Sequence, residues 1–165
     1  AIFGVLAMLA FPAFTNIGQA RGVTEAAYQV AAAVDFAREE ARARRAYVWL
    51  GIETNLEGLR IGAVMAQDGS TSTNNLIAIM RPQVLRQVAL APAASLAGLP
   101  EVVSGASDFS TNSSGPKFGS DFTSGRTLTI TPAGEVLTVA LPTDLDGFEP
   151  RLVIGLRAAR GGRTD

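Results

Sequence analysis

Asp144 and Asp146 flank a leucine in DLDG (144–147), which is the carboxylate spacing of a fragment of a calcium loop. A calcium ion takes roughly six to eight oxygen ligands, and this stretch offers few, so a polar turn is the stronger reading. A second cluster is basic: Arg151, Arg157, Arg160 and Arg163 in RLVIGLRAARGGR, faced by the single side chain of Asp165. Arginines on a strand and tail can contact phosphates. No aromatic platform interleaves them, however, and the chain as a whole carries a net charge of −1. A solvated or intersubunit salt-bridging tail is therefore the preferred reading. RARRAYVW (42–49) is also basic, but cations at the end of a long helix complement its dipole. NSS (112–114) matches a glycosylation acceptor, a pattern short enough to arise by chance.

The residue types that are missing narrow the chemistry further. There is no cysteine and no histidine. Disulfides, thiolate nucleophiles, Cys/His zinc sites and histidine acid–base catalysis are thereby excluded. No P-loop or paired nucleophile and base occurs, so neither catalysis nor a cofactor is expected. At 165 residues the chain suits one domain with a real core.

The elements that would carry these residues begin with an apolar stem. From Ala1 to Phe14 no side chain is charged or hydrogen-bonding, and Thr15 and Asn16 are the first polar residues. Such a run needs a cover other than water. From Phe14 to Val48 the pattern is that of one long helix, with an apolar face at Val23, Ala27, Val30, Val34, Ala37, Ala41 and Val48. Charged neighbours fall at helical spacing on the other face: Arg21 with Glu25, Asp35 with Glu39 and Arg38, and Glu40 with Arg44. Pro12 lacks an amide hydrogen and crowds the carbonyl of Met8, and Gly4 adds backbone freedom upstream. The rod is expected to kink or partly melt between Gly4 and Pro12.

After the helix the pattern turns to short strands. YVWLGI (47–52), GLRIGAVMA (58–66) and LIAIMRP (76–82) read as strands, the last ended by Pro82, with ETNLE as a connector and QDGSTSTNN (67–75) as a polar loop. QVLRQVALAPAASLAGLP suggests short strand pieces and a helical turn near Ala93–Leu96. Residues 104–125 read as a long surface loop, and LPTDLDGFEP as another turn region. RTLTITPAGEVLTVAL (126–141) is the clearest hairpin, turning at Pro132-Ala133-Gly134, and RLVIGLRAAR (151–160) supplies a final strand. Helix first and antiparallel strands after is an α+β order. The division expected is a helix over 1–48 and a β-rich head over 49–165.

AIFGVLAMLAFPAF, with a glycine and then a proline eight residues on, resembles the start of the type IV pilin and pseudopilin family. FAREEARARRAYVWL (36–50) looks like the second half of that family's helix entering the first strand. LTITPAGEVLT (128–138) is similar to the strand–Pro-x-Gly–strand hairpin of GspH/FimT-like pseudopilins. The likeness is specific over residues 1–50 and loose over the sheet. Aligned on Gly4 and Pro12, the family pattern sets about ten residues ahead of Ala1, enough to complete a bilayer span of about 20. Cleavage, methylation and a pairing glutamate belong to that upstream part and are implied only by the family.

What the resemblance implies is a pilin-like fold and a structural role. The stem would anchor in the inner membrane before assembly and then form the core of a helical polymer of identical copies, on the cell surface or in the periplasm. Ile2, Phe3, Val5, Leu6, Met8, Leu9, Phe11 and Phe14 would line that core, with Gly4 and Pro12 as the break. Partners would be further copies and the assembly machinery. Two rivals stand beside this: a minor pseudopilin priming or tipping the filament and binding nucleic acid through its arginines, and a membrane-anchored binding domain that never polymerises.

Overall fold

Alanine-rich sequence with few β-branched residues favours a helix, and α1 runs from Ile2 to Arg44. The computed structural model describes residues 2–92, 95, 116, 118, 126–137 and 154–159, with side chains from residue 21 onward. The backbone is helical through Gly4 and Pro12, so the expected melting of that stretch does not occur. A proline removes one ladder bond, and the helix continues on both sides of it.

The helix ends at Arg44 and not at Val48. Arg45 takes a left-handed φ of 51°, Ala46 N–H returns to Ala41 O at 3.1 Å, and Arg45 N–H reaches Arg42 O at 3.4 Å. These two bonds form a Schellman cap, and Ala41 and Ala46, at its usual apolar positions, are both buried. Arginine stands where glycine is the common choice, so the sequence carried no stop signal here.

Seven strands follow among the described residues: β1 (Val48–Asn55), β2 (Gly58–Ala66), β3 (Leu76–Arg86), β4 (Val88–Leu90), β5 (Arg126–Ile130), β6 (Val136–Leu137) and β7 (Leu156–Ala158). Five form one antiparallel sheet in the order β3-β2-β1-β5-β6, while β4 and β7 pair separately. The fold class is α+β, as the element order implied. Helix-facing residues alternate along the strands: Val48, Leu50 and Ile52 on β1, Leu59 and Ile61 on β2, Leu128 and Ile130 on β5. Trp49, Val64 and Ala66 point to the opposite face, where Phe118 covers them. Phe118 belongs to the stretch expected to be surface loop, yet it is buried. Burial on both faces explains why VWLGI reads as a continuous apolar run instead of an alternating one.

Glu53 to Asn55, expected in the connector, extend β1, and only Leu56 and Glu57 form the turn. Asn55 Oδ1 accepts from Glu57 N–H at 2.9 Å and Gly58 N–H at 3.0 Å, and Gly58 adopts φ 145° against the Leu85 carbonyl. Pro82 does not end β3. It lies on an edge strand, where the register with β2 slips between Ile61 and Ala63, so its missing N–H breaks no regular ladder.

The helix lays Ala26, Val30, Ala33, Ala37 and Ala41 on the sheet, at intervals of four and three. Ala27, expected inside, is exposed, and Val23 and Val34 flank the seam half-buried. A sequence stripe of valine and alanine has two solutions one position apart, and small residues let either approach closely.

Candidate functional site

The C-terminal half of α1 crosses the sheet beside the β5–β6 hairpin, and the turn of that hairpin is built tightly. Gly134 N–H donates to Thr131 O at 2.7 Å, Glu135 N–H to Thr131 Oγ1 at 3.2 Å, and Thr131 N–H to Glu135 O at 2.9 Å. Gly134 sits at φ 82°, which glycine adopts without strain. The carbonyls of Ala133 and Gly134 face the helix. Arg42 Nε donates to the first and Arg38 Nε to the second, both at 3.0 Å. Arg38 Nη1 also approaches Asp35 at 3.9 Å, a partly exposed and weak pair.

Beside this contact lies a groove of about 520 Å³. Val30 and Val34 of α1, Val136 of β6, and Ile154 and Leu156 supply apolar walls, while Asp35, Arg38, Arg42 and Glu135 bring two acids and two bases to its rim. Its charges balance, and each arginine has already committed one nitrogen to the hairpin. Sequence reasoning placed Arg38 in a helix-surface pair and Arg42 in the helix-end basic run. The available signal was their spacing of four, which puts both on one flank of the seam.

The residues singled out from sequence fall elsewhere. Ile2, Phe3, Val5, Leu6, Met8, Leu9, Phe11 and Phe14 lie on the helical backbone of α1, but their side chains lie outside the described residues. Asp144, Asp146, Arg151, Arg160 and Arg163 also lie outside them, as does the 112–114 acceptor. Arg157 is exposed on β7, opposite Ala89 of β4. Among the described residues no group of acidic side chains could hold a metal ion, and no helix is long and apolar enough to cross a membrane. Of the expected helix pairs, Arg44–Glu40 is formed at 2.7 Å, and Glu25 accepts from Gln29 at 3.2 Å.

Asp68 shows a clear electrostatic perturbation. Its carboxylate accepts from the Ser70 hydroxyl at 2.7 Å and from Ser70 N–H at 3.0 Å, and these bonds hold its pKa below the ordinary value. It stands in the exposed 67–75 loop, away from the groove, and closes a turn. Comparison with protein-family models, curated proteins and solved structures yields no match.

Proposed function

We propose that the chain is a structural subunit of a helical filament of the type IV pilus or type II secretion kind, without catalytic activity. The supporting observation is the division of one continuous helix. Among the residues whose side chains are described, from 21 on, its buried seam runs from Ala26 to Ala41; the helical backbone extends back to Ile2, and no side chain before Thr15 is polar. At about 1.5 Å per residue the 43-residue helix is roughly 64 Å long, about twice the span of the nine-residue β2. Even the eleven-residue β3, the longest described strand, spans only roughly 36 Å. In this reading the head takes the C-terminal half, and other copies take the stem.

Ile2, Phe3, Val5, Leu6, Met8, Leu9, Phe11 and Phe14 then pack against the same residues of neighbours. A head-to-tail contact between identical rods does not close, so it propagates as an open helix. Before assembly the stem sits in the inner membrane; afterwards the sheet and loops form the outside of a surface or periplasmic filament.

Substituting lysine at Leu6 or Phe11 tests this. The expected result is loss of filaments with the subunit still made and its head melting unchanged. Normal filaments carrying either substitution would contradict the reading.

A further inference from the structure

Arg38 and Arg42 stand one helical turn apart and reach successive carbonyls of one turn, Gly134 O and Ala133 O. The approach is close: a Cβ placed on Gly134 would fall on the Arg42 guanidinium. Elsewhere the helix packs on the sheet through small residues, with Leu50, Ile52, Leu59, Ile61, Leu128 and Ile130 buried in the same core. Ala26, Ala33, Ala37 and Ala41 each contribute a single methyl to the seam, and Val30 is its only larger fully buried member among the described residues. Directly beside the two arginines lies the groove of about 520 Å³, so helix and hairpin are not packed continuously there. A gap of this kind forfeits dispersion contacts that a filled interface would have.

Two polar bonds near the C-terminal end of the seam, bordered by the groove, fasten the helix to the hairpin. We propose that Arg38, Arg42 and the Ala133–Gly134 turn form a releasable latch: closed, it fixes the C-terminal half of α1 on the head, and open, it frees that half while β1 and β2 stay paired. The strands support the second half of this statement. The β1–β2 ladder runs over eight consecutive residue pairs and does not pass through the latch. Nor does the latch need a filament. It sets how rigidly rod and head are joined in any assembly.

Hydrogen–deuterium exchange on the full chain, solubilised in detergent, tests the latch. In the Arg38→Gln/Arg42→Gln variant, amides over 30–41 are expected to exchange at least about tenfold faster, while β1 and β2 amides stay within about twofold. Arg44→Gln, which loses only a bond to Glu40 on the helix itself, is expected to leave both sets unchanged. If the double variant does not fold, Arg42→Gln is read the same way with a smaller, severalfold acceleration. Two results overturn the proposal: helix amides that keep their parent rates, or helix and strand amides that accelerate together.

Discussion

Arg42 on the helix donates its Nε–H to the backbone carbonyl of Ala133, 3.0 Å away in space and 91 residues away in sequence. With Arg38 on Gly134, it ties the first element of the fold to a hairpin formed much later in the chain. The bond runs from a charged donor to a neutral acceptor, a class worth about 1.5–3 kcal/mol when shielded and less where, as here, the site is exposed. The seam it borders is made mostly of single methyl groups packed in one core with the buried Leu50, Ile52, Leu128 and Ile130.

The seam itself is sensitive to size. Ala37 is fully buried against the sheet, so Ala37→Leu overpacks it and is expected to cost about 1–3 kcal/mol in urea unfolding. Ala27→Leu, ten residues earlier in the helix and exposed, is expected to stay within about 0.5 kcal/mol. Equal effects at the two positions would contradict the register of α1 on the head.

The helix cap carries removable strain. Arg45 occupies a left-handed conformation that costs a side-chain-bearing residue roughly 1 kcal/mol, whereas glycine adopts it freely. Arg45→Gly is therefore expected to stabilise the head by about 0.5–1 kcal/mol, read as a higher denaturation midpoint. A lower midpoint would show that the Arg45 side chain contributes more than its backbone costs.

The 67–75 loop has a pH dependence of known sign. Asp68 is more acidic folded than unfolded, so its contribution is present above its unfolded pKa and disappears as pH falls through its folded one. NMR titration is expected to give a midpoint below that of an ordinary aspartate. Ser70→Ala should raise the midpoint, because the first cause of the shift is the Ser70 hydroxyl. A midpoint unmoved by that substitution would contradict the turn.

Strands with strong local patterns were readable from sequence alone. β2 occupies Gly58–Ala66, the 67–75 loop separates it from β3, and β5 and β6 join across Pro132-Ala133-Gly134. Those features rest on alternation and turn chemistry, which are local. The departures come from tertiary effects. Arg45 caps the helix in a conformation usually signalled by glycine, and Pro82 continues a strand because the register slips beside it. Ala26 is buried in place of Ala27 because alanine marks a helix face weakly. Phe118 is buried because Trp49 and Val64 offer it a second apolar face, which a serine- and glycine-rich neighbourhood does not advertise. The groove and the two-arginine contact join residues about ninety positions apart, and no pattern within either segment pairs them.

Electron microscopy of filaments sheared from cells, with mass spectrometry of their main component, tests the proposed function most directly. The account predicts helical fibres built of this chain, with residues 1–14 of each copy lying at the fibre axis among those of its neighbours. A chain found only as a monomer in lipid nanodiscs, from cells that carry no such fibres, would contradict it.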